Sequence, residues 1–235
     1  MLRVVSYNVH RAIGLDHRQD RERIGEILSA LHADVITLQE VESAHGEQHP
    51  GQQLEQWAER LSMQYVAGPN MFHETAGYGN GVITRLNVER VQLHNISVER
   101  LEPRGIIDLV LTYKGMPIRI LSTHFGLKLW ERHQQMSHLI GLLYRGRDAT
   151  LPTILTGDFN EWRWISGFFK KLNQRMPLAA KGRTFPTRWP LLRLDQIWCS
   201  AEWSLMDRKV VVTPQTRVAS DHLPIYADLM FRAEV

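Results

Sequence analysis

Thr156-Gly157-Asp158-Phe159-Asn160 places a carboxylate and a carboxamide two residues apart at the end of the apolar run Leu151 to Leu155. Such a run reads as a buried strand, and Gly-Asp-x-Asn as the turn that closes it. Side chains two apart on an extended backbone project the same way, so Asp158 and Asn160 can address one point in space. Both could instead be plain turn formers, because Asp and Asn hydrogen-bond readily to nearby backbone. The signature recurs, however: Asn8, Glu40, His124, Asp195 and the pair Asp221-His222 all stand where an apolar or β-branched run begins or ends.

This is a set of oxygen donors with few soft ligands, which suits Mg²⁺ or Mn²⁺ better than zinc. Glu40 is the first choice of ligand, with Asn8 and Asp221 assisting directly or through water. Two histidines beside acidic partners would supply proton transfer and positive charge at a crowded phosphorus. A phosphoester fits that combination, since its transition state spreads charge over several oxygens. Each member also has a duller reading: a turn cap for Asn8 or Asn160, a solvated edge charge for Glu40, a loop cap for Asp221, a satisfied structural histidine for His124.

The elements that must position these residues are legible in part. Val4 to Asn8 reads as a buried strand, followed by a polar loop from His10 to Arg18. Ile24, Ile27, Leu28 and Leu31 then fall on one helical face. Asp34 to Glu40 is a second buried strand, so the first forty residues form a βαβ unit whose two strands run parallel and end on the same edge. That alone brings Asn8 near Glu40. Glu42 to Gln52 reads as a surface loop, and Leu54, Trp57, Ala58 and Leu61 as a second helix. Gly77-Tyr78-Gly79-Asn80-Gly81 leads into a strand from Val82. Ile106 to Tyr113 and Ile118 to Thr123 read as a hairpin around Lys114-Gly115-Met116-Pro117. A helix through Met136, Leu139, Ile140 and Leu143 precedes the strand that ends at Asp158. Strands are expected at Leu194 to Trp198, Trp203 to Val212 and Ile225 to Phe231. No linker or repeat divides the chain, so residues 1–235 are expected to form one domain of two sheets packed face to face with helices outside.

The totals exclude several classes. The chain has 235 residues, 43% of them apolar and 23% charged, as in a globular protein with a sizeable core. A net charge of +3 tolerates acidic ligands without announcing a dense nucleic-acid patch. One cysteine, Cys199, leaves no internal disulfide and no cysteine-based zinc cluster, and is expected to be a buried thiol. The amino-terminal residues lack a secretory signal pattern and no stretch approaches the length of a bilayer span, so a cytoplasmic location is expected.

Six segments, in order, carry a resemblance: Ser6-Tyr7-Asn8-Val9-His10, Leu38-Gln39-Glu40-Val41-Glu42, Ser122-Thr123-His124, Gly157-Asp158-Phe159-Asn160, Leu194-Asp195-Gln196-Ile197 and Ser220-Asp221-His222-Leu223-Pro224. Together they resemble the endonuclease/exonuclease/phosphatase superfamily, which includes deoxyribonucleases, abasic-site endonucleases, inositol-polyphosphate phosphatases and bacterial sphingomyelinases. The resemblance implies an α/β fold, a four-layer sandwich of two mixed β-sheets flanked by helices, and a divalent-metal phosphoesterase. By motif, Glu40 would be the main Mg²⁺ ligand with Asn8 beside it. Asp158 would orient or deprotonate the attacking water, and Asn160 would hold a phosphate oxygen. His222, its ring fixed by Asp195, would act as general base or polarising acid, and His124 would stabilise the five-coordinate phosphorus. Glu102 resembles the carboxylate that pairs with His124 in the deoxyribonuclease branch. Asn80 and Arg104 are expected at the substrate. Asn8 is followed by Val9-His10 where abasic-site enzymes carry a second Asp or Asn, which leans away from an abasic-DNA role.

The substrate stays open. A phosphodiester is favoured. Trp162 to Lys171 (including Trp164) and Arg183 to Arg193 are rich in Trp, Phe, Arg and Lys. They would serve a DNA or RNA endonuclease by stacking on bases and gripping phosphates. They would equally serve a phospholipid or sphingomyelin headgroup phosphodiesterase as interfacial anchors, or be ordinary core. A non-catalytic phosphate-binding scaffold is the reading of another class, with no need for two histidines and a full ligand set. No obligatory protein partner is indicated.

Overall fold

The computed structural model describes residues 1–42, 52–73, 76–146, 148–163 and 167–232. Most of the loop expected at Glu42 to Gln52 (residues 43–51) and Trp164 lie outside the described residues. In chain order the elements are β1 (Leu2–Asn8), α1 (Arg21–Ala30), β2 (Val35–Glu42), α2 (Gln52–Leu61), β3 (Gln64–His73), β4 (Ala76–Thr84), β5 (Asn87–Asn95), β6 (Gly105–Tyr113) and β7 (Met116–His124). They continue with α3 (Leu129–Tyr144), β8 (Thr153–Asp158), α4 (Lys170–Arg175), β9 (Leu178–Lys181), β10 (Asp195–Cys199), β11 (Trp203–Val210), α5 (Thr216–Ala219) and β12 (Ile225–Phe231).

The strands form two mixed six-stranded sheets, ordered β11-β12-β1-β2-β4-β3 and β5-β6-β7-β8-β10-β9. β1 and β2 pair in parallel, as the βαβ reading requires, and β7 and β8 form the matching parallel pair of the second sheet. α1 begins where Asp20 caps it, its carboxylate accepting from the Arg23 N–H at 2.9 Å. The β6–β7 turn is tighter than expected: Lys114 (φ 52°) and Gly115 (φ 76°) make it alone, and Met116 and Pro117 already belong to β7.

Three apolar layers separate four layers of structure. Leu2, Val4 and Val35 meet Ile120, Ile154 and Ile197 between the sheets. Val5, Tyr7, Ile36 and Leu38 pack outward on Ile24, Leu28, Leu54 and Trp57 of α1 and α2. Leu121, Leu155 and Trp198 pack outward on Met136, Leu139 and Leu172 of α3 and α4. This is the expected α/β sandwich. Strand alternation then decides where polar side chains go. Val4 faces inward, so Asn8, four residues on, does too. By the same parity Ile120 brings in His124, Ile154 brings in Asp158, and Ile197 brings in Asp195. The inner faces thus change from apolar to polar at one end of the sandwich.

Candidate active site

β8 is the hub. Asp158 lies across from His124 of β7 on one side and Asp195 of β10 on the other. Gly157 lets these strands close up: its φ is 145°, and a Cβ there would stand 1.9 Å from the Thr123 carbonyl oxygen. Glu40 arrives differently. Alternation would carry it to the helix side, but β2 bulges against β4 between Leu38 and Val41, and Glu40 itself has φ 57°. The bulge re-aims its carboxylate, so that Asn8 Nδ2 donates to Glu40 Oε1 at 2.9 Å and to Asp158 Oδ2 at 3.2 Å. Asn8 Oδ1 accepts from the His10 N–H at 3.1 Å. Asn8 is therefore a clamp between two carboxylates of opposite sheets.

The two histidines flank Asp158 Oδ2, with His124 Nε2 at 3.6 Å and His222 Nε2 at 3.7 Å. Asp195 Oδ2 fixes His222 through Nδ1 at 2.8 Å, and the Phe185 ring packs on the imidazole with centroids 4.8 Å apart. Ser220 orders the approach, donating from Oγ to the Asn8 carbonyl at 2.8 Å and accepting from the His222 N–H at 3.2 Å. Burial opposes a charged His222, yet Asp195 and Asp158 outweigh it and raise the ring to about 10. His124 goes the other way: burial, with the charges of Arg104 and His222, holds it well below its ordinary value. Between them burial pushes Asp158 up to about 7, against the pull of His222 and with help from Asp195. Within one cleft the shifts thus run in opposite directions, His222 and Asp158 upward and His124 downward.

Donors face both ring nitrogens of His124: Arg104 Nη1 lies 3.3 Å from Nδ1, and the Asn160 amide nitrogen approaches Nε2. Asn160 Nδ2 donates to the Phe125 carbonyl at 2.9 Å and stands 3.2 Å from His124 Nε2. The Asn160 N–H donates to Asp158 Oδ1 at 2.8 Å, so the turn-forming contact expected of Asp and Asn is made, and both side chains still reach the cleft.

One expectation is corrected. Glu102 does not pair with His124 directly: Arg104 stands between them, giving Nη2 to Glu102 Oε2 at 3.0 Å and Nη1 to the imidazole. Arg104 itself is 4% exposed. Asn80 is buried, donating to the Gly105 carbonyl at 3.1 Å, with its Oδ1 unpartnered. Asp221 is half-buried beside His222, its Oδ1 lying 3.4 Å from Ser220 Oγ and 3.9 Å from His10 Nδ1. Tyr78 had not been foreseen: burial and the charges of Glu40 and Glu102 push its phenol up, and it is hydrogen-bonded to Glu40. Its position two residues before Asn80, on a strand and not in the loop its glycines suggest, was the available signal.

Two groupings could hold a divalent ion. Asp158, Asp195 and His222 present ligand atoms all within 4.8 Å of one another. Glu40 presents a carboxylate shared with Asn8, close to Asp158. The donors fit a hard cation: the cleft offers oxygens and imidazoles, and Cys199 is buried in the core away from it. Within the first grouping an ion would have to replace the 2.8 Å contact between His222 and Asp195, a charge-assisted hydrogen bond that already satisfies both groups.

The fold and the cleft define a class, an α/β sandwich with a buried carboxyl-histidine centre where its two sheets meet. Residues 5–222 match the Endonuclease/Exonuclease/phosphatase family, and the chain belongs to that family, whose members act on phosphoester bonds. It is 28% identical over 97% of its length, and 95% of the relative's, to the uncharacterised protein YbhP of Escherichia coli. A mannosyl-6-phosphatase of Bacteroides thetaiotaomicron has a similar fold, with a TM-score of 0.77, 18% identity, and 98% of this chain and 100% of that one covered. The human Nocturnin catalytic domain with bound sulfate superposes with a TM-score of 0.76 at 22% identity, covering 98% of this chain and 94% of that one. Among the described residues, no helix is long and apolar enough to cross a membrane.

Proposed function

We propose that the chain is a divalent-cation-dependent phosphoester hydrolase whose first substrate class is phosphodiesters, with residues 1–235 acting as one unit. The observation that carries this reading is Asp158 held between His124 and His222, with the Glu40–Asn8 clamp on its other side. Asp158, raised to about 7, takes a proton from the attacking water near neutral pH. Neutral His124 donates its Nε2–H to a phosphoryl oxygen as charge develops there, and the Asn160 amide supports that oxygen. The His222 imidazolium, kept charged by Asp195, compensates the growing negative charge and delivers its Nε2 proton to the departing alkoxide. Water thus gives its proton to Asp158 as the leaving group receives one from His222, and the two exchange it afterwards across 3.7 Å. Glu40, with Asn8 and Asp221 assisting directly or through water, would hold a Mg²⁺ (or Mn²⁺), which would supply Lewis-acid charge to the phosphate.

The test is a screen of metal-reconstituted protein against bis-aryl phosphates, nucleic acids, phospholipids and sugar phosphates, with EDTA and Glu40→Ala as controls. Hydrolysis that needs both the cation and Glu40 supports the reading. No turnover of any substrate, or full turnover by Glu40→Ala, overturns it.

A further inference from the structure

β7 and β8 run parallel and end at His124 and Asp158, and β10, antiparallel to β8, starts at Asp195. The chain segments 125–130, 159–163 and 182–194 therefore leave or enter the second sheet on the edge that carries the cleft. Every exposed tryptophan among the described residues lies on them: Trp130 (51% exposed), Trp162 (43%) and Trp189 (72%). Leu127, Leu129 and Leu191 stand exposed beside them. The other tryptophans described, Trp57, Trp198 and Trp203, are core, so the exposed ones are not the residue of an indifferent surface.

The three segments are also coupled to the cleft and to each other. Arg132 donates to the Leu127 carbonyl at 2.6 Å and its guanidinium lies 4.3 Å from the Trp162 ring centre. Across the cleft, Phe185 packs on His222, and the Thr187 N–H donates to the Asp221 carbonyl at 2.8 Å. Charge on these segments has one sign toward solvent. Lys128, Arg183, Arg188 and Arg193 are exposed; Arg163 is exposed too but spends its charge on Glu161 at 3.0 Å, and the carboxylates Glu131 and Glu161 are only 3% and 4% exposed. Tryptophan, leucine and arginine together on one edge match what enters the boundary of an anionic bilayer.

We propose that this edge is a membrane-docking surface: the tryptophan- and leucine-tipped segments on either side of the cleft seat on an anionic bilayer. The cleft then faces the headgroup phosphates, a second step that rests on the phosphodiesterase reading. A nucleic-acid strand is the lesser fit. Exposed leucines do not stack on bases, and the Trp162 ring already carries the Arg132 guanidinium on one face.

Full-length protein in EDTA is sedimented with vesicles of phosphatidylcholine and phosphatidylglycerol, and with vesicles of phosphatidylcholine alone. Binding to the mixed vesicles is expected, with a blue shift of tryptophan emission and a loss of at least tenfold in Trp130→Ser/Trp189→Ser. Should that variant not fold, Leu127→Ser/Leu191→Ser is expected to lose binding in the same way. Failure of the wild type to bind the mixed vesicles, or equal binding by the variants, overturns the proposal. So does preference for single-stranded oligonucleotide over the mixed vesicles with the same variant sensitivity. Soluble bis-aryl phosphate is assayed in parallel with metal. Hydrolysis without vesicle binding removes the docking surface and leaves the hydrolase, and vesicle binding without hydrolysis does the reverse.

Discussion

Asp195→Asn isolates one charge at the centre of the cleft while leaving shape nearly unchanged. In the native chain Asp195 is fully buried and accepts from His222 Nδ1 at 2.8 Å. Burial alone would discharge the ring, so its rise to about 10 is the work of Asp195 and Asp158 together. A charge-assisted hydrogen bond contributes about 1.5–3 kcal/mol, and at about 1.4 kcal/mol per tenfold its loss lowers the His222 pKa by about 1–2. NMR titration of the imidazole in metal-free protein reads this directly. If His222 must be charged to release the leaving group, kcat on a bis-aryl phosphate falls by about 10²–10⁴, and the alkaline limb of the rate profile moves down with the pKa. Stability follows the same linkage. His222 has a folded pKa above its ordinary 6.5, so its contribution is complete below about 6.5 and disappears as pH rises through about 10. The deficit in Tm of the variant should therefore be largest in acid and shrink across that window. An unmoved imidazole titration, or wild-type kcat with the titration moved, would refute the assignment of the proton donor.

Glu40→Ala should abolish the cation's effect on stability as well as on rate. Mg²⁺ at about 100 times its Kd stabilises the wild type by about 2.7 kcal/mol, or about 5–11 °C in Tm for a chain of this size, and the variant should show none of it by calorimetry. Arg104→Met should lower kcat by about 10–150-fold, the worth of one charged hydrogen bond to His124 Nδ1, with Km nearly unchanged; Glu102→Gln, at a carboxylate 40% exposed, should cost far less. Arg119→Met should cost about 3–5 kcal/mol in urea unfolding with kcat/KM intact, because it leaves Asp108, which Arg119 grips at 2.6 and 2.9 Å with both side chains buried, with only His94 at 3.2 Å. Asp108 is held below its ordinary value, Arg119 and His94 outweighing burial, so that pair stabilises above about pH 3.8 and its contribution fades as pH falls further.

What the residues disclosed in advance depended on how strongly packing constrained them. Central strands are buried on both faces, and their apolar runs (Val35 to Leu38, Ile154 and Leu155) carry an unmistakable pattern. β3 and β9 sit at sheet edges, where one side of the backbone is unpaired and the side-chain code relaxes. Gln64 to His73, with its Gly and Pro, and Leu178 to Lys181 accordingly escape a reading by periodicity. Ala76 to Gly81 misleads for another reason. Its glycines suggest a loop, yet the segment is paired on both sides, and a Cβ at Gly81 would fall 2.8 Å from Leu54. The glycine is there for helix α2, and the strand it belongs to delivers Tyr78 and Asn80. Within the cleft, residues at strand ends were legible because alternation from an apolar neighbour fixes their direction. The Arg104 contacts were not, since Glu-x-Arg proximity in sequence cannot say which acid or base a buried guanidinium will face.

The arrangement also accounts for why two sheets are needed. Asn8 and Glu40 come from the first, which also brings in His222 just ahead of β12, and His124, Asp158 and Asp195 come from the second, so neither sheet alone holds the whole cluster. Asn8 Nδ2 bridges them, donating across the sandwich to Asp158 as well as along its own sheet to Glu40. A carboxyl raised to about 7 is costly to bury, and it is kept in place by donors that do not themselves titrate: one amide from each sheet, Asn8 Nδ2 and the Asn160 N–H. Any shift of one sheet against the other would lengthen the Asn8 contact first and leave Asp158 Oδ2 facing the two histidines alone. The inter-sheet apolar layer of Val4, Ile120, Ile154 and Ile197 is what prevents that slide. The same alternation that buries those aliphatic side chains aims Asn8, His124, Asp158 and Asp195 into the cleft, so the packing that holds the sandwich together and the register of its polar cluster are set by one pattern.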